Sequence, residues 1–233
     1  MKRFDADVAL VTRATDALGE EFVAAFLREG ASRVYAVGET PREWADSRVV
    51  PLVFDQAKTG SLTDLVSVAR DVTVAVSIPA PEPAAVPLLT VDDGTFTDLV
   101  MKNTLGAIHL AGAFGPVLAK NGGGVLVIVR SVQAWISVNG AYAASQAALW
   151  SVTNALRVEL AYAGIDVVGV VLGLTLRDAT GDPSHPRTDA RSVATMTLDA
   201  IGRQDPEVLV DEYCRSVKSR LSQPLVMLYP ELG

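Results

Sequence analysis

SVQAWISVNGAYAASQ, residues 131–146, lies between an apolar run, Val125 to Val129, and a long helical pattern, Ala141 to Ala163. It sets Ser131 eleven residues before Tyr142, and Gln146 four residues after it. Positions four apart share a face of a helix, so Tyr142 and Gln146 point the same way from its first turns. A second apolar run, Ile165 to Val171, follows the helix. Short apolar runs of this length read as buried strands. Two strands joined through a helix, with no hairpin turn, form a parallel pair.

The same alternation continues on both sides. Val8 to Thr12 reads as a strand, Leu18 to Arg28 as a helix stopped by Gly30, and Arg33 to Val37 and Val49 to Phe54 as strands. Ser61 to Arg70 reads as a helix with Ser61 as its cap, and Val72 to Val76 as a strand. Pro79 to Pro87 holds four prolines and must be a loop. Asp92 to Ala119 is a long helical pattern, with a break expected near Gly112 or Gly115. After the sixth strand, Thr175 to Thr188 is polar and reads as a flap over a site. Asp189 to Ile201 reads as a helix, Glu207 to Val210 as a strand and Glu212 to Leu221 as a last helix. Right-handed crossovers turn this order into an α/β fold: a Rossmann-like, doubly wound parallel sheet of about seven strands in a three-layer α/β/α sandwich. No repeat or linker divides it, which predicts a single domain over residues 1–233.

Composition narrows the function classes. The net charge of −7 argues against nucleic acid or an anionic membrane as partner. The single cysteine, Cys214, cannot form an internal disulfide and reads as a small core residue, so a cytoplasmic location fits. The opening MKRFDADVALVT is too short in apolar residues for a signal sequence. No apolar run approaches the roughly 20 residues that a spanning helix needs. His109 and His185 are the only histidines, and no Cys/His/Asp cluster has ligand spacing, so no metal is expected. His109, among apolar helix neighbours, reads as a core or interface residue.

Five blocks now line up. VALVTRATDALG, the later Asn103, VIVRSVQAW, YAASQAALWSVTNALRVELA and IDVVGVVLG resemble, in order and spacing, the short-chain dehydrogenase/reductase family over essentially the whole chain. The resemblance implies a nicotinamide cofactor across the carboxyl ends of the strands and an Asn-Ser-Tyr-Lys set that handles a proton. Carried over position by position, it marks Asn103, Ser131, Tyr142 and Gln146 as the catalytic candidates, with Gln146 where the family has lysine. That lysine lowers the phenol's pKa from about 10 and also holds the nicotinamide ribose. Gln146 has no charge with which to lower it. The Ser-to-Tyr spacing is about two residues short of the family's.

The cofactor candidates are Arg13, Gly19, Glu39, Asp55 and Arg177. The family's first turn reads T-G-x-x-x-G-x-G; here it is Thr12-Arg13-Ala14-Thr15-Asp16-Ala17-Leu18-Gly19, with only Gly19 kept. Glycine there lets the backbone turn tightly and approach a pyrophosphate. Glu39, at the end of the second strand, would accept ribose hydroxyls and reject a 2′-phosphate. Asp55 stands at the position resembling the adenine contact. Ser77-Ile78-Pro79-Ala80 replaces an Asn-Asn-Ala-Gly block, Leu172-Gly173 replaces Pro-Gly, and Arg177 stands where a threonine meets the nicotinamide.

These departures lead to the expectation of a non-redox acid/base enzyme, of cyclase, dehydratase or isomerase type, acting on a small oxygenated metabolite. In it Arg13, Arg130 and Arg177 take over the cofactor's ground, and no cofactor is favoured, with NAD the candidate if any binds. Two alternatives stand beside it: a non-catalytic subunit that pairs with an active relative, and an NAD-dependent short-chain oxidoreductase with an atypical site. Trp135 is expected to wall the pocket. A homodimer or homotetramer is expected through the 92–119 and 141–163 helices, with a heteromer involving an active relative as the other arrangement.

Overall fold

The computed structural model describes residues 4, 7–40, 42–54, 61–173 and 188–230. Seven strands form one parallel sheet: β1 (Val8–Val11), β2 (Arg33–Gly38), β3 (Val49–Val53), β4 (Val74–Ser77), β5 (Gly124–Ser131), β6 (Ile165–Leu172) and β7 (Glu207–Leu209). Their order is β3-β2-β1-β4-β5-β6-β7, so the winding reverses between β1 and β4. Helices α1 (Ala17–Glu29), α6 (Ala190–Arg203) and α7 (Glu212–Arg220) cover one face. Helices α2 (Ser61–Val68), α4 (Gly106–Lys120) and α5 (Gly140–Ala161) cover the other. A shorter helix, α3 (Asp93–Val100), leads through a π-helical turn, Met101–Leu105, into α4.

The strands read as continuous apolar runs because both faces are covered. Along β1, Ala9 and Val11 enter one core while Val8 and Leu10 enter the other. In β5, Val127 and Val129 alternate with Leu126 and Ile128 in the same way. Element ends fall within a residue or two of the sequence expectation at most boundaries, which is the range over which helix and strand ends fray.

The break in the long helical pattern lies at residues 101–105, not at Gly112 or Gly115. There the Gly106 N–H reaches back five residues to the Met101 carbonyl, which inserts one residue into the turn. Gly112 stands in open space and stays helical. Among the described residues, no helix is long and apolar enough to cross a membrane.

Candidate active site and switch-point groove

The four proton-site candidates converge where β5 ends and α5 begins. Ser131 is the last residue of β5, and a 3-10 turn, Val132–Ala134, follows it. Tyr142 lies in the first turn of α5 and Gln146 one turn on; both are buried, as a shared inward face requires. The Ser131 N–H donates to Gln146 Oε1 at 2.8 Å. Ser131 Oγ accepts from the Gln133 N–H at 3.2 Å. Asn103, in the π turn, donates through Nδ2 to Ser145 Oγ at 3.0 Å, and Ser145 Oγ donates to the Tyr142 carbonyl at 2.7 Å. The extra residue in the turn rotates Asn103 into the interior, where it is 1 % exposed.

Three residues that the sequence did not single out complete this region. Gln133 Oε1 accepts from the Asn139 N–H at 2.8 Å, which closes the shortened loop between Ser131 and Tyr142. Asn139 Oδ1 accepts from the Val86 N–H at 3.1 Å, and Asn103 Oδ1 from the Ala80 N–H at 2.9 Å. The proline-rich loop is therefore pinned against the site at two points, and it carries the Glu82 carboxylate toward Tyr142. Burial first, and Glu82 second, push the Tyr142 phenol well above its usual value. The two pairings that pin this loop join residues far apart in the chain, so no local pattern announces them.

Trp135, expected as pocket wall, lies instead under the Arg130 guanidinium at 5.1 Å and edge-on to Trp150 at 6.4 Å. Arg130 is fully buried and donates through Nη2 to Glu207 Oε1 at 2.7 Å, on the β7 side of the site. Burial opposes its charge, and the Glu207 hydrogen bond and attraction support it. Arg130 thus fills none of the ground at the switch between β1 and β4.

At that switch point a groove of about 350 Å³ opens beyond the carboxyl ends of the strands. Thr12 and Arg13 from the β1–α1 turn, Gly38 and Glu39 after β2, and Ser77 and Ile78 after β4 line it. His109 also faces it, and is exposed rather than buried in a core. Thr12 Oγ1 accepts from the Ile78 N–H at 2.8 Å and donates to the Val76 carbonyl at 3.2 Å, which fixes the Ser77–Ala80 exit. Arg13 holds φ 50°, the left-handed conformation suited to the glycine it replaces. Its guanidinium folds onto Asp16 through Nε at 2.8 Å and Nη2 at 2.6 Å, and stands 3.9 Å from Glu39. Gly19 is sterically required: a Cβ there would lie 2.1 Å from the Arg13 carbonyl oxygen. Asp55, Arg177, His185 and the flap up to residue 187 lie outside the described residues.

A doubly wound parallel sheet with a groove at its switch point defines a Rossmann-type α/β protein, and Ser131 and Tyr142 are buried where β5 ends and α5 begins. The sequence pattern of the short chain dehydrogenases matches residues 7–187, and the chain belongs to the short-chain dehydrogenase/reductase family. It is similar to Dehydrogenase/reductase SDR family member 4 of Caenorhabditis elegans, 27% identical over 217 residues that cover 83% of each chain. It is also similar to Dehydrogenase/reductase SDR family protein 7-like of Drosophila melanogaster, 26% identical and covering 97% of this chain and 77% of that one. Among solved structures, a short chain dehydrogenase from Burkholderia cenocepacia J2315 in complex with NADP superimposes with a TM-score of 0.88, at 26% identity, over 100% of this chain and 99% of the other.

These matches overturn the expectation of a non-redox acid/base enzyme, and with it the expectation that no cofactor is favoured. The physical reason is visible at the groove. Of the three arginines expected to fill it, the two among the described residues do not: Arg13 is drawn aside onto Asp16, Arg130 is buried toward β7, and the space at the switch point stays open.

Proposed function

We propose that this chain is a nicotinamide-dependent oxidoreductase that interconverts a carbonyl compound and its alcohol, with an atypical proton donor. The observation that carries the reading is the open groove at the β1/β4 switch point, in a chain of this family. The lining fits a dinucleotide. Its volume lies in the range of small-molecule sites, Gly19 keeps helix and turn in close contact, and the exposed Glu39 carboxylate at the end of β2 suits ribose hydroxyls. When bound, the nicotinamide supplies or accepts hydride.

The chain's own residues handle the oxygen and its proton. Ser131 Oγ accepts from the Gln133 N–H, and its own O–H is the donor to the substrate oxygen. Tyr142 donates the proton that a reduced carbonyl oxygen needs. Its raised pKa keeps the phenol protonated throughout the physiological range, so it is a competent acid and a reluctant base. Asn103 holds the first turns of α5 through Ser145, and so positions Tyr142. Assembly into a homodimer or homotetramer through α4 and α5 belongs to the same reading. Both helices expose apolar side chains, with Val158 and Tyr162 of α5 or its C-cap 68% and 97% exposed.

The test is a fluorescence titration with NADH and NADPH, followed by carbonyl turnover. Saturable binding, with turnover reduced about 100-fold or more in Tyr142→Phe at unchanged cofactor affinity, is the expected result. No saturable binding of either nucleotide overturns the reading.

A further inference from the structure

Among the described residues, four helices begin with an aspartate at the N-cap in extended backbone: Asp16, Asp92, Asp189 and Asp211. Three of these carboxylates do the usual work and accept from the backbone N–H three residues on, at Thr95, Ser192 and Cys214. Asp16 does not. Its Oδ2 is taken by Arg13 Nε and Nη2, and no side chain caps α1. Arg13 adopts a left-handed backbone that disfavours any side chain, yet it carries a long cation at the lip of the groove. The guanidinium is flanked by two carboxylates, Asp16 and Glu39, which repel a phosphate for as long as they stand unpaired.

We propose that Arg13 is a phosphate clamp for the cofactor, held in reserve by Asp16; this rests on the nicotinamide-dependent reading above. A cofactor phosphate displaces the Asp16 carboxylate from the guanidinium. Asp16 then turns back onto the first-turn N–H groups of α1 and caps the helix. The exchange is favourable on both sides. Phosphate matches the planar guanidinium fork as a carboxylate does, and the cofactor's phosphates together carry at least two negative charges against one. The released carboxylate gains the cap bond that its three counterparts already make. The pair it leaves is partly exposed, with side chains 27% and 37% accessible, so it is weakly held. In this way a side-chain cation takes over work that a glycine-rich backbone does elsewhere.

Fluorescence titrations of the full chain with NADH and NADPH, at low and high NaCl, test the clamp. Arg13→Ala is expected to weaken binding about tenfold or more and to flatten its salt dependence. Asp16→Asn keeps a capping side chain but frees the cation, and is expected to tighten binding severalfold; in the Arg13→Ala background that gain shrinks to what loss of one repelling carboxylate gives. Loss with both nucleotides assigns the pyrophosphate, and loss with NADPH alone assigns the 2′-phosphate; either supports the clamp. Binding by Arg13→Ala within twofold of wild type for both nucleotides overturns it, as does an Asp16→Asn gain that is equally large without Arg13. Thermal melts separate loss of the clamp from loss of the fold. If Arg13→Ala does not fold, Asp16→Asn decides alone, and unchanged or weaker binding there overturns the clamp. Wild-type chain that binds neither nucleotide overturns the functional reading and the clamp together.

Discussion

Gln146 takes the Ser131 N–H on its amide oxygen and so fixes the end of β5 against α5, one turn from Tyr142. A neutral amide does this without stabilising a phenolate. Burial, with the Glu82 carboxylate adding to it, makes the neutral phenol the favoured form. The sign follows directly. Carbonyl reduction needs the protonated phenol and is expected to hold steady as pH rises to about 9. Alcohol oxidation needs the phenolate and is expected to climb about tenfold per pH unit, with no plateau below about pH 10. Gln146→Lys restores a cation within reach. An opposite charge at such range lowers a pKa by about 1–3 units, so oxidation near pH 8 is expected to rise about tenfold or more and to reach a plateau. Paired pH–rate profiles check this, and superimposable profiles refute it. Cys214 is shifted in the same direction and for the same leading reason. It is buried, its Sγ donates to the Val171 carbonyl, and burial with the Asp211 hydrogen bond raises its thiol far above the usual value. It is expected to resist iodoacetamide until the chain unfolds.

The turn at Met101–Leu105 and the start of α1 show how elements place side chains. The wide turn buries Asn103, whose two hydrogen bonds tie the proline-rich loop and α5 to one helix. Asn103→Ala leaves the Ala80 N–H and Ser145 Oγ without these partners, at about 1–3 kcal/mol for each unsatisfied group. A urea melt reads the loss, and reduced kcat with unchanged cofactor affinity reads the misplaced Tyr142. At α1, Gly19→Ala forces a Cβ against the Arg13 carbonyl oxygen, so the turn must move. Destabilisation of about 1–3 kcal/mol together with weaker cofactor binding is expected from titration and melt. The helices and strands themselves were legible because period-2 and period-3.6 patterns are local. The π turn was not, because one inserted residue leaves the apolar spacing on either side almost unchanged.

Across the molecule, Arg130 spans from β5 to Glu207 on β7, and Lys218 of α7 closes on the same carboxylate. Removing Glu207 strands a fully buried guanidinium, so Glu207→Ala is expected to cost about 3 kcal/mol or more, whereas the apolar double replacement Arg130→Met with Glu207→Leu is expected to stay close to neutral. Urea melts of the two decide it. Light scattering on the purified chain tests the proposed assembly: Val158→Glu, on the exposed face of α5, is expected to lower the oligomeric state without unfolding the chain. By itself the sequence determined the family and the parallel doubly wound fold, because these rest on motif order and periodicity along one chain, and the resemblance marked Ser131, Tyr142, Gln146, Asn103 and Gly19 as candidates. Only the tertiary structure decided where the arginines go. A side chain as long as arginine reaches far from its own Cα, and its destination is set by a carboxylate partner: Asp16 holds Arg13 at the lip of the groove, and Glu207 drew Arg130 to the far side of the site. Read in sequence, both arginines pointed to a blocked cofactor site; in three dimensions their charge partners leave it open.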